Sequence, residues 1–309
     1  MTTRQLLTAI GTLAVPIALT CTGLAQVHVA AQSPWHERYF PNVDLVTQDG
    51  EHVRFYDLIK GKKVAIELIY TTCQFACPLE TARLAQVQKI IGDRMGRDIF
   101  FYSISIDPEH DTPAVLKAFA EKYHVGPGWT FLTGMPNDIE LLSKKLGLYS
   151  DPDPANQDGH TPTLLLGNEA TGQWTRGSAL DNPKLTAGMI TNWFGGYSGA
   201  APTRTYADAK PLAKLDAGQY VFATKCSACH SLGDGSKVGP DLAGVMTRRD
   251  RAWLAKYIAA PDAMLNGGDP IAKTLFAQYH QVQMPNLQLS DGEIQGVLGY
   301  LATVPSAAK

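Results

Sequence analysis

The pentapeptide Cys226-Ser227-Ala228-Cys229-His230 constrains this chain more than any other stretch. Two thiols one helical turn apart can add across the vinyl groups on one edge of a porphyrin, while the adjacent imidazole projects beneath its centre to the iron. A bare Cys-x-x-Cys would also suit a zinc half-site or a redox pair, but no second cysteine pair stands within about 30 residues to complete a zinc ribbon. The pattern therefore predicts haem held covalently by Cys226 and Cys229, with His230 on the iron. A sixth ligand has to come from well downstream. Met284, followed by Pro285 and then the last helical stretch, is the expected one, with His280 as the competing donor. A thioether donor raises the potential and suits electron transfer rather than oxygen chemistry.

The other cysteines fall as Cys73 with Cys77, and Cys21 alone, so two separate chemistries are expected in one chain. A length of 309 residues exceeds one average domain, and 45% hydrophobic with 18% charged residues is a globular composition. The formal net charge of −2 and the lack of any long run of like charge give no reason to expect a nucleic-acid or anionic-membrane partner. Residues 1–31 read as a signal peptide: Arg4, an uncharged stretch from Gln5 to Leu24, then small residues with cleavage after Ala25 or Ala31. Pro16, Gly11 and Gly23 make that stretch a poor membrane span, so membrane contact is expected only if it stays uncleaved. Acylation of Cys21 is the lipoprotein alternative, for which Thr20 is a poor preceding residue. The protein is expected to be exported and periplasmic.

Residues 32–196 alternate apolar runs with amphipathic stretches, which predicts an α/β domain; 197–212 is linker chemistry, and 213–309 contains only helix-like segments. Val64–Tyr70, Ile99–Ile106 and Thr163–Leu166 read as buried strands. A helix with Pro78 at its first position carries Leu84, Val87, Ile90 and Ile91; another begins with Pro113 and runs to about Tyr123; a third covers Asn182–Trp193. Ser290-Asp291-Gly292-Glu293 is a capping box for the last helix.

Cys73-Gln74-Phe75-Ala76-Cys77-Pro78 follows a strand and opens a helix, where the helix N-terminus is expected to lower thiol pKa and make thiolates available as nucleophiles or metal ligands. With three residues between them the sulfurs can close a disulfide or converge on one soft metal ion. Further pieces accompany the pair: Ser105-Ile106-Asp107-Pro108-Glu109-His110-Asp111-Thr112-Pro113, Gly128-Trp129-Thr130-Phe131-Leu132-Thr133-Gly134, and Asp158-Gly159-His160. Over about Tyr39 to Gly195 the chain resembles the SCO/SenC family of copper chaperones, which implies a thioredoxin-like fold and copper held by Cys73, Cys77 and His160. Two thiolates and an imidazole suit Cu(I) and can hold Cu(II). His28, His36, His52, His110 and His124 read as surface or internally satisfied side chains. Gln74 departs from the family, which usually has Pro there. Thr161-Pro162-Thr163 looks like the cis-proline segment of thioredoxins, which favours thiol exchange.

From Lys214 to Ala308 the chain resembles the class I cytochromes c, through Gly218 and Phe222, Gly239-Pro240-Asp241-Leu242 and Gly299-Tyr300-Leu301, besides the haem motif and Met284-Pro285. The two resemblances together imply an all-α cytochrome after the thioredoxin-like domain, with haem c and copper as cofactors. The partners implied are a respiratory copper protein, such as a cytochrome c oxidase subunit, and a redox partner for the haem. A thiol-disulfide oxidoreductase using Cys73 and Cys77 is the enzymatic alternative, and a docking module that only positions the cytochrome is the third.

Overall fold

A computed structural model describes residues 38–74, 76–149, 161–192 and 214–306. The signal segment, the linker at 197–212 and Asp158-Gly159-His160 lie outside the described residues. The thioredoxin-like and helical parts belong to one compact unit, Ser33–Lys309.

The strands of the first part are β1 (Asp44–Thr47), β2 (His52–Arg54), β3 (Lys63–Ile69), β4 (Ile99–Ser105), β5 (Trp129–Gly134), β6 (Thr163–Asn168) and β7 (Gln173–Ser178). Its helices are α1 (Phe55–Ile59), α2 (Ala76–Ile91), α3 (Pro113–Lys122), α4 (Pro136–Leu146) and α5 (Pro183–Asn192). The described strands form one sheet in the order β2-β1-β5-β4-β3-β6-β7. β3 runs parallel to β4, and β4 to β5; β6 is antiparallel to both β3 and β7. The segment β4-β3-β6-β7, with α2 crossing between β3 and β4, is the thioredoxin-like arrangement.

Alternation along the strands makes two cores. Ala65, Ile69, Phe101, Phe131, Leu164 and Leu166 face α2, α3 and α5. Val64, Ile66, Leu68, Tyr102, Ile104 and Leu132 face α1 and α4. The three expected strands and the Pro113 helix are present, the latter with Thr112 as N-cap accepting from the Val115 N–H at 3.4 Å. α2 differs from expectation in starting at Ala76, so Pro78 stands inside the first turn rather than opening it. A missing N–H is tolerated there because the first four amides of a helix have no intrahelical partner. Ile90, expected in the core, is 49% exposed, since α2 buries Leu84, Val87 and Ile91 instead.

The second part holds α6 (Ala217–Val221), a π-helical turn over Phe222–Cys226, α7 (Val245–Arg248), α8 (Arg251–Ala259), α9 (Pro261–Asn266), α10 (Pro270–Gln278) and α11 (Asp291–Thr303). α6 crosses α11 closely: a Cβ on Gly218 would lie 2.1 Å from the Gly296 carbonyl oxygen, so no larger residue fits. The expected capping box of α11 is present, Ser290 and Glu293 serving each other's backbone N–H. No helix among the described residues is long and apolar enough to cross a membrane.

Candidate functional site

The junction of β3 and α2 positions the first cysteine pair. The Cys73 N–H donates to the Tyr70 carbonyl at 3.3 Å, and Cys77 is the second residue of α2. Asp111, fully buried, ties this turn to the end of β4: it accepts from the Thr71 N–H at 3.1 Å, the Thr71 hydroxyl, and the Ser105 hydroxyl at 2.6 Å. The Ser105–Pro113 stretch thus supports the turn that carries Cys73. His110 of the same stretch is exposed and bonds Asp107 at 2.8 Å, consistent with its reading as a surface side chain.

Cys73 is 8% and Cys77 0% exposed, and their side chains hydrogen-bond to each other. The Cys73 hydrogen bond, burial, and the charges of Cys73 and Glu80 all push the Cys77 thiol up. The helix N-terminus was expected to lower it; the Cys73 hydrogen bond, then loss of water and the charges of Cys73 and Glu80, act in the opposite direction. Under α2, Glu67 of β3 accepts from the Ser103 hydroxyl at 2.7 Å, and that oxygen accepts from Trp129 Nε1 at 2.8 Å. Burial pushes Glu67 up to about 7 despite the Ser103 bond. Burial, then the charges of Glu67 and Cys73, push Glu80 up to about 9. Sequence reasoning missed both carboxyls; a charge inside the apolar run Val64–Tyr70 was the available signal for Glu67.

Every described peptide bond is trans, Thr161–Pro162 included, which corrects the cis-proline expectation and removes the support it lent to thiol exchange. Trans is the lower-energy isomer even before proline, and a cis bond persists only where the surrounding structure locks it.

The second cysteine pair borders an apolar cavity. Cys226, Cys229, His230 and Met284 all line it, with Phe222, Leu254, Tyr257 and Leu301. His230 Nδ1–H donates to the Pro240 carbonyl at 2.8 Å, which leaves Nε2 as the lone-pair donor for a metal. A Cβ on Gly239 would meet His230 Cε1 at 2.6 Å, so glycine lets the chain pass against the imidazole. Burial pushes the Cys226 and Cys229 thiols up to about 12, and thioethers, which carry no charge, suit that lining. These donors fit a covalently held haem. His280 is exposed and does not line the cavity, whereas Met284 does.

Residues 33–190, just over half of the chain, match the SCO1/SenC family model, in agreement with the cysteine pair at the β3–α2 junction. The chain belongs to the SCO1/SenC family. Residues 215–305 of this SCO1/SenC chain match the cytochrome c model. It is similar to an SCO1 protein homolog of Bacillus subtilis, 39% identical over 123 residues, an alignment spanning 38% of this chain and 63% of that protein. It is also similar to the SenC protein of Rhodobacter capsulatus, 31% identical over 40% of this chain and 56% of that one. Among solved structures, copper-bound ScoI of Bradyrhizobium japonicum is 26% identical with a TM-score of 0.41, covering 48% of this chain and 94% of that one.

Proposed function

We propose that this chain is an exported, periplasmic copper-binding protein with covalently attached haem, which assists copper insertion into, or thiol redox maintenance of, a respiratory copper centre such as that of cytochrome c oxidase. The observation that carries this reading is the pair of buried, mutually hydrogen-bonded thiols of Cys73 and Cys77 in a member of the SCO1/SenC family. Two soft sulfur donors suit copper. Among the described residues no group of three His, Cys, Asp or Glu side chains is placed to hold a metal ion. His160 lies outside them and is the third ligand this reading assigns. Cys226 and Cys229 hold the haem, with His230 and Met284 on its iron, and the haem supplies or removes single electrons. Attachment to the copper-binding part raises the effective concentration of each for the other.

Thiol-disulfide exchange by Cys73 and Cys77 is the second reading, favoured by the hydrogen bond that brings the two side chains together. Haem exchanges one electron and a disulfide two, so coupling them directly would need a further carrier.

Anaerobic titration of the reduced, haem-loaded protein with copper separates the two. One tightly bound copper, lost in both His160→Ala and Cys73→Ala, with thiolate-to-Cu(II) absorption on oxidation, is the expected result. No tight binding, or binding indifferent to His160, moves the function to thiol exchange.

A further inference from the structure

The two cysteine sites share a wall. Pro78 and Tyr123, from the thioredoxin-like part, line the same cavity as Cys229, His230 and Met284. Tyr123 also lies in one buried cluster with Cys73, Cys77 and Ala228, against which Cys229, Val282 and Leu287 pack. Three residues make four hydrogen bonds to backbone carbonyls around this apolar contact. Arg83 of α2, 5% exposed, donates through Nη2 to the carbonyls of Ala223, at 3.2 Å, and Thr224, both in the π-helical turn that ends at Cys226. Gln86, one turn along α2, donates to the Ser227 carbonyl at 3.1 Å. The Asn286 N–H, two residues past Met284, donates to the Gln74 carbonyl beside Cys73 at 3.2 Å.

An apolar patch ringed by a few polar contacts has the make-up of an interface between domains. We infer that the α2 face of the thioredoxin-like part is a docking surface for the Cys226–Cys229 segment and the Met284 loop of this same chain, and that docking closes the Cys73–Cys77 pair to outside partners until the two parts separate. The attachment segment and the Met284 loop together form the cover. A copper donor or acceptor then reaches Cys73 only in the undocked form, so the docking equilibrium sets access to the site. The inference rests on reading 214–306 as the haem-bearing part, and its test uses no copper.

The test compares the haem-loaded, copper-free full chain with its Arg83→Ala/Gln86→Ala variant. Iodoacetamide labelling of Cys73 and Cys77 is followed by mass spectrometry, and amide hydrogen exchange is followed at Asn286. Loss of these hydrogen bonds is expected to raise both the labelling rate and the Asn286 exchange rate roughly tenfold, with β3 and β4 amides unchanged. Equal labelling in the two proteins would overturn the inference, because the cysteines would then be buried by their own domain alone. An Asn286 amide exchanging at the unprotected rate in the unsubstituted chain would overturn it without reference to any variant. A tenfold rise together with a failed copper titration would sink the copper reading and leave the dock standing.

Discussion

Cys73 and Cys77 on one side of the α2 face, and Cys226 and Cys229 on the other, are the same residue type in opposite settings. The first pair hydrogen-bonds internally within a buried cluster and feels the charge of one buried carboxyl, Glu80, which in turn feels that of Glu67. The second pair edges an apolar cavity beside an imidazole whose Nδ1–H is already spent on Pro240. The difference teaches that spacing selects the ligand while the neighbours select the chemistry: acidic groups couple the first pair to protons, and an apolar wall suits the second to an uncharged thioether bond.

The strongest way to break the comparison is to remove the second pair. Cys226→Ala/Cys229→Ala should abolish covalent haem completely, scored by haem staining of the denatured chain, while copper binding by the first pair persists. Loss of both together would mean that the two sites do not act as separate chemistries.

Core deletion sharpens it next. Phe101→Ala, in the fully buried α2-facing core, should destabilise the thioredoxin-like part by about 3–5 kcal/mol in urea denaturation followed by tryptophan fluorescence. The haem absorbance should unfold at an unchanged urea concentration if each part has its own core, and coincident shifts would show one cooperative unit.

Two buried carboxyls of the first part and one cap carboxyl of the second should respond to pH with opposite signs. Glu67 and Glu80 keep their protons in the fold up to about 7 and about 9, while the unfolded chain releases them near its ordinary value of 4.5. The folded state therefore binds more protons, and the stabilisation present below 4.5 is lost as pH rises through these values. Glu293 behaves oppositely: the Lys225 ammonium at 2.9 Å and the Ser290 cap hold its carboxyl at about 2, so its contribution is complete above 4.5 and lost as pH falls towards 2. Glu80→Gln should flatten the alkaline loss in the thioredoxin-like part, read as the urea midpoint of the copper-free protein at several pH values. An unchanged slope would mean that Glu80 is ionised in the fold.

The smallest effect concerns a cap. Ser290→Ala should cost about 0.5–2 kcal/mol, visible as a lower thermal midpoint of the haem-linked transition alone.

Sequence alone determined what depends on short range. The runs Val64–Tyr70 and Ile99–Ile106, the helix start at Pro113, the cap at Ser290, the haem pentapeptide and the Cys73–Cys77 spacing all declare themselves through local periodicity, turn chemistry or ligand spacing. Only the tertiary structure decided the rest. Glu80 comes to face Glu67 because an α2 turn is laid over β3, and Asp111 reaches Thr71 because β4 pairs with β3 in parallel. Pro162 is trans, the isomer favoured unless the surrounding chain locks the other. Tyr123, separated by more than a hundred residues from Cys229, lines the cavity that Cys229 lines. No strand or helix period encodes such meetings, because each is set by how two whole elements pack, and packing is a property of the assembled layers rather than of any one segment.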